Sequence, residues 1–199
     1  MAHASHHRFT FDDYLRVEHD SGIKHEFLSG QVWAMSGGSP SHAAIAAKIG
    51  ALLTVALEGK PCRTFSADLR IRVEESGLAT YPDVSVVCGS LELDPEDSKG
   101  HTVTNPRVIV EVLSPSTEDY DRGEKLGHYK TIPSLEEVVL VAHDRREIEV
   151  VRREPDGSWS RHVARDGEDA TLASLGCVLP IVDVYRDPLA VDDGPRTRG

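Results

Sequence analysis

Two short runs of β-branched residues, each broken by a carboxylate, constrain this chain more than any other feature. They are Tyr-Pro-Asp-Val-Ser-Val-Val-Cys at 81–88 and Arg-Val-Ile-Val-Glu-Val-Leu at 107–113. Both have the length and composition of strands and are bounded by turn-forming residues. Alternation sets Asp83, Ser85 and Val87 on one face of the first, and Ile109, Glu111 and Leu113 on one face of the second. If the two strands pair antiparallel, the start of one meets the end of the other and Asp83 becomes the neighbour of Glu111.

Carboxylates side by side and removed from water repel each other, so they require a cation or a shared proton. A hard divalent ion such as Mg2+ meets that need, because it takes oxygen ligands and is held by one or two carboxylates plus waters. Taken singly, each residue reads better as a strand-end group facing solvent or as half of a lone salt bridge. Taken together, they define a site.

The segment after Glu111 continues Leu-Ser-Pro-Ser-Thr at 113–117 and then Asp121-Arg-Gly-Glu-Lys125-Leu-Gly-His-Tyr-Lys130. Ser114, Ser116 and Thr117 are helix-capping types, and Glu118 and Asp119 suit a first turn, so a helix is expected from about 118 to about 130. Starting where the Glu111 strand ends, it can return Lys125 to that strand's mouth. Spacing alone favours a plainer role for Lys125, an i, i+4 pair with Asp121 on a solvated face.

The order Pro82-Asp83, Val110-Glu-Val-Leu-Ser-Pro-Ser-Thr117, Asp121-Arg-Gly-Glu-Lys125 and Tyr129 resembles the Uma-type (Uma-two) restriction endonuclease family, within the PD-(D/E)xK nuclease superfamily. Two earlier segments are also similar: His25-Glu-Phe-Leu-Ser-Gly-Gln-Val-Trp-Ala-Met35 to its opening hairpin, and Ser39-Pro-Ser-His42 to its next helix start. The resemblance spans roughly residues 9–186. It implies an α/β (α+β) domain, a restriction-endonuclease-like mixed β-sheet flanked by helices, with added β-hairpins. It further implies metal-dependent hydrolysis of DNA phosphodiester bonds, with Asp83, Glu111 and Lys125 as the catalytic set. Asp83, Glu111 and the backbone carbonyl of Val112 would hold Mg2+ or Mn2+, and Glu26 and His42 become accessory candidates. A homodimer is also expected, since superfamily members often dimerise. One departure matters: the superfamily's usual lysine, two residues after the acidic one, is here Leu113, so Lys125 would have to replace it from the helix. The displaced lysine keeps open a catalytically silent module that retains the fold for binding or regulation. A metal phosphoesterase acting on small nucleotides is a third reading.

By themselves the accessory residues signal little. Glu26 falls in a hairpin strand turned at Ser29-Gly30, and His42 comes early in an Ala-rich helix, 41 to about 58, whose apolar stripe is Ile45, Ile49, Leu52, Leu53 and Ala56. A histidine at such a place is more often exposed or capping than catalytic.

Charge argues against a nucleic-acid partner: 22 Lys and Arg against 33 Asp and Glu give a formal net charge of −11, whereas phosphate contact calls for a basic footprint. Arg145, Arg146, Arg152, Arg153, Arg161 and Arg165 could supply a patch, but alternation along strands equally makes them a solvated face. No phosphate loop, His-Glu-x-x-His or Gly-x-Ser-x-Gly motif is present, which removes the commonest nucleotide-hydrolase, zinc-protease and esterase readings. Cys62, Cys88 and Cys177 are widely spaced and odd in number, and are expected as reduced core thiols. His3, His6 and His7 sit near the N-terminus, where they would bind metal only loosely.

With 199 residues, 39% of them hydrophobic, the chain can bury one core. A single domain is expected over 1–186 with a disordered tail at 187–199. No apolar run approaches a membrane span and no signal-peptide core is visible, so a cytoplasmic location is the default expectation. Further elements are expected as a helix at 10–20 capped by Thr10, a 24–35 hairpin and a strand region at 62–73. Strands near 137–143, 146–153 and 158–164 complete the set, the last two joined by a turn at Pro155-Asp156-Gly157.

Overall fold

The computed structural model describes residues 8–35 and 37–186. The tail at 187–199 and the histidines at 3, 6 and 7 lie outside the described residues.

The chain begins with α1 (Phe11–Ser21), fixed by a reciprocal capping box between Thr10 and Asp13 and ended by Gly22 in a left-handed conformation. The hairpin β1 (His25–Leu28) and β2 (Gln31–Ala34) turns on Ser29 and Gly30, both at positive φ (52° and 82°), the pair of conformations a two-residue hairpin turn needs. Helix α2 (Pro40–Ala56) starts on an N-cap Ser39 that accepts from the His42 N–H, with Pro40 in the first turn. Its Ile45, Ile49 and Leu53 are buried, one side of a helix at the expected spacing.

The expected strand region at 62–73 is two strands belonging to different sheets. β3 (Cys62–Ser66) pairs with β6 (Val84–Cys88), whereas β4 (Arg70–Val73) pairs with β5 (Leu78–Thr80) and, in parallel, with β7 (Thr102–Val103). β8 (Val108–Val112) leads into α3 (Glu118–Tyr120), a π-helical turn (Asp121–Lys125) and α4 (Leu126–Tyr129), which together form the one helix expected over 118–130. β9 (Glu137–Val141), β10 (Glu147–Arg153) and β11 (Trp159–Arg165) follow as expected. β12 (Asp169–Leu172), β13 (Cys177–Pro180) and α5 (Ile181–Val184) complete the described chain.

The strands form a five-stranded sheet ordered β2-β1-β5-β4-β7, a six-stranded sheet ordered β11-β10-β9-β8-β6-β3, and the pair β12-β13. In the six-stranded sheet β6 runs antiparallel to β8 and β8 parallel to β9, so the segment carrying Lys125 is a β-helix-β crossover. The fold is thus the expected mixed-sheet α+β architecture. Two cores flank the six-stranded sheet. On one face Val84, Val86, Val108, Val110 and Val112 pack against α2, β13 and α5. On the other, Val87, Ile109, Leu113 and Leu140 pack against Leu126 and Tyr129 and against Ile71, Val73 and Leu78 of the five-stranded sheet. Strands buried on both faces are apolar at consecutive positions, which is how β6, β8 and β9 read.

One expectation is corrected by this geometry. Cys62 and Cys88 are not free thiols: antiparallel register sets them directly opposite, with Cα atoms 3.9 Å apart, and they form a disulfide. Spacing in sequence could not reveal this, because the β3–β6 pairing brings together residues 26 apart. Cys177 remains a free thiol. The six arginines do not make an open basic patch: Arg145 meets Glu118, Asp144 and Glu147, Arg146 meets Asp166, Arg152 meets Glu137, Arg161 meets Glu149 and Arg165 meets Glu147. Arg153 donates to the carbonyls of Lys130 and Ile132.

Candidate active site

The register of the two central strands builds the site. Val84 lies opposite Val110, so the next pair outward is Asp83 and Glu111. Asp83 Oδ2 accepts the N–H of Val112 at 2.7 Å, which ties the two strand ends together. Both carboxylates line a cleft of about 1270 Å³ bounded by α2, the β1–β2 hairpin, the segment after β8 and the π-helical turn.

Glu111, only 6% exposed, accepts the Tyr129 hydroxyl at 2.6 Å and faces Lys125 Nζ at 2.9 Å, both on Oε1. Lys125, 5% exposed, also lies 3.5 Å from Asp121 Oδ1. The i, i+4 pair suggested by spacing is therefore present, but it is buried and directed at the Glu111 strand. Burial pushes the Glu111 carboxyl up to about 7, with Asp83 and Asp121 adding to the rise and Lys125 opposing it. Burial also works against the charge on Lys125, but Glu111 and, behind it, Tyr129, Glu26 and Asp121 hold the ammonium well above its ordinary value. The carboxylates around it thus favour the charged form of Lys125, while burial favours the protonated form of Glu111.

Both accessory candidates join the same cleft. His42 Nε2 stands 2.8 Å from Asp83 Oδ1, and that hydrogen bond raises the imidazole above its ordinary value against the effect of burial. The other ring nitrogen, Nδ1, is buried with no partner among the described residues. The ring lies over Gly38, where a Cβ would come within 2.6 Å of His42 Cδ2. Glu26 accepts the Tyr120 hydroxyl at 3.2 Å. Sequence reasoning gave no role to Tyr120, or to Tyr129 beyond its place in a motif. The spacing Asp121, Lys125, Tyr129 was the available signal, since three such residues four apart share a helix side.

The donor set is hard and anionic. Among the described residues no three His, Cys, Asp or Glu side chains group as metal ligands. Two carboxylates at adjacent strand ends, lining a cleft, would suit only an ion that completes its shell with water.

The fold, a mixed sheet flanked by helices, is of the restriction-endonuclease-like type. Residues 11–181 match the model of the Uma2 family, described as "Putative restriction endonuclease", and the chain belongs to that family. Two proteins of Synechocystis sp., both described as uncharacterized, are 36% identical over 88% of this chain and 90% of their own, and 31% identical over 75% and 84%. A crystal structure from Anabaena variabilis, described as "a putative nuclease belonging to DUF820", superposes with a TM-score of 0.70 at 19% identity, covering 89% of this chain and 97% of that one.

Proposed function

We propose that this protein is a metal-dependent endonuclease that hydrolyses DNA phosphodiester bonds at the Asp83–Glu111 pair. The observation that carries the proposal is the joining of these two carboxylates across β6 and β8 with a buried, charged lysine 2.9 Å from one of them. Asp83 and Glu111 are the residues that would hold Mg2+ or Mn2+, with the carbonyl of Val112 a further oxygen beside them. The ion would offset phosphate charge and lower the pKa of a bound water.

The chain's own residues do the rest. Burial favours the protonated form of Glu111, and positive charge brought into the cleft would favour its anionic form. Lys125, held charged and immobile by Glu111 and Asp121, offers a fixed positive charge where negative charge develops on the phosphate. Tyr129 fixes the Glu111 rotamer, and His42 orients Asp83 from the α2 side. A lysine on the helix thus fills the place that Leu113 leaves empty on the strand.

The test is cleavage of supercoiled plasmid and single-stranded DNA with Mg2+ or Mn2+ at low salt. Asp83→Asn, Glu111→Gln and Lys125→Met, each confirmed folded by thermal melting, are expected to cut at least about 100-fold more slowly. No cleavage by wild type with either ion would move the protein to a silent binding module, a reading its net charge of −11 favours. Competition by mononucleotides, with DNA left uncut, would move it to a small-nucleotide phosphoesterase.

A further inference from the structure

Trp33 is a large aromatic residue left 45% exposed on β2, the edge strand of the five-stranded sheet, and it lines the active-site cleft. It is the cross-strand partner of Glu26, so the two side chains leave the hairpin on the same face. Glu26 is in turn held by Tyr120, one turn before Lys125. The indole therefore stands in the wall that carries the Glu26 end of the site. From α2 the cleft is lined by the small residues Ala43, Ala46, Ala47 and Gly50, with His42 and Thr54 at either end.

Charge in the cleft runs the wrong way for a duplex. The two lysines that line it are both engaged, Lys24 with Asp68 at 2.6 Å and Lys125 with Glu111 at 2.9 Å. Four carboxylates, Glu26, Asp83, Glu111 and Asp121, line the same space. Outside it, of the six arginines between 145 and 165 five are paired to carboxylates and Arg153 to carbonyls. A duplex presents phosphates and groove edges and hides the faces of its bases, so its grip depends on a basic footprint. An unpaired strand offers base faces, which stack on aromatic side chains for about 1–3 kcal/mol per base, a contact that a duplex with its bases paired does not supply.

We propose that the cleft takes its nucleic acid as an unpaired strand, a base stacking on Trp33 while the adjoining phosphate reaches Asp83 and Glu111. The proposal rests on the nuclease reading for the identity of the ligand, but its test needs no cleavage. Trp33 fluorescence is titrated with a 16-nucleotide single strand and with a blunt duplex of equal length, with Ca2+ as the only divalent ion and both ligands checked for intactness, using the full chain. A Trp159→Phe background removes the only other tryptophan. The single strand is expected to quench Trp33 and to bind at least about tenfold more tightly than the duplex. Labelled single strand, followed by anisotropy, is expected to bind Trp33→Ala about five- to a hundredfold more weakly and Trp33→Phe nearly as well as wild type. Equal or tighter duplex binding, no binding of the single strand, or an unchanged Trp33→Ala affinity overturns the proposal. Single-strand binding without cleavage under any ion would leave it standing while the nuclease reading falls. Cleavage of both substrates, unaltered by Trp33→Ala, would do the reverse.

Discussion

Replacing Glu111 with Gln in the metal-free protein isolates the electrostatic state of the site. Burial raises the Glu111 carboxyl from 4.5 to about 7. Between those values the folded chain keeps a proton that the unfolded chain releases, so stability falls as pH rises. The contribution is fully present below 4.5 and is lost as pH passes through about 7. At about 1.4 kcal/mol for each unit of difference, the whole effect is about 3 kcal/mol. Gln keeps the shape and still accepts the Tyr129 hydroxyl, but it does not titrate. His42, also raised, changes stability in the same direction, so the quantity to read is the difference between wild type and Glu111→Gln. Urea unfolding in EDTA from pH 4.5 to 7.5 is expected to show wild type losing about 3 kcal/mol relative to the variant. A difference flat to within about 1 kcal/mol, or one of opposite slope, would refute the assignment of a proton-hungry Glu111.

Three further outcomes test the frame around the site. Asp97→Ala leaves the buried Arg70 guanidinium without its 2.9 Å partner, with Glu18 still 3.9 Å away, and should cost about 3 kcal/mol in a denaturant melt. Gly38→Ala drives a Cβ to within 2.6 Å of the His42 ring. The displaced imidazole should lose its contact with Asp83 and titrate nearer its ordinary value by NMR, with little change in melting temperature. Reduction of the Cys62–Cys88 bond reopens a loop of sequence separation 26 and should lower stability by up to about 3.5 kcal/mol, while Cys62→Ser should become insensitive to reductant.

The central strands and the carboxylate pair were legible because both signals are local: β-branched runs with one misplaced charge, and an alternation that fixes faces. The antiparallel register then followed from one assumption, and Val84 opposite Val110 satisfies it. The short strands β5 and β7, and the β12–β13 pair, carry too few residues to show a period and owe their extended form to partners elsewhere. The division of 62–73 was hidden for a related reason. Ser66 to Leu69 turns the chain between sheets, with the Leu69 N–H donating to the Ser66 carbonyl, but no Gly or Pro marks the place. The network around Arg70, in which Thr102, Tyr81 and Asp97 converge on one guanidinium, joins residues up to 32 apart. No window along the chain contains it.

The position of the lysine has a geometric reason. A lysine at 113 would lie on the Glu111 face of β8, but Leu113 is 1% exposed and packed among Ile109, Leu126 and Leu140. A charge there would be buried in the apolar core behind the carboxylates. The helix offers another route, provided Asp121, Lys125 and Tyr129 all face the strand. In a regular α-helix residues four apart drift by about 40° per step, so two steps would swing Tyr129 about 80° from Asp121. The π-helical turn at Asp121–Lys125 fits more residues into each turn, so its step of four falls short of a full circle instead of exceeding it. That reversal offsets the α-helical step from Lys125 to Tyr129. All three side chains are buried, Lys125 and Tyr129 meet Glu111 on the same oxygen, and Asp121 backs the lysine from behind. Deleting one residue within Asp121–Lys125 should restore regular α-helix and keep the phase, because seven α-helical steps of about 100° end about 20° short of two full turns and leave Tyr129 facing Glu111. A retained Tyr129–Glu111 contact with wild-type sheet content by circular dichroism is the expected result; a lost contact would mean that helical phase is not what aligns them.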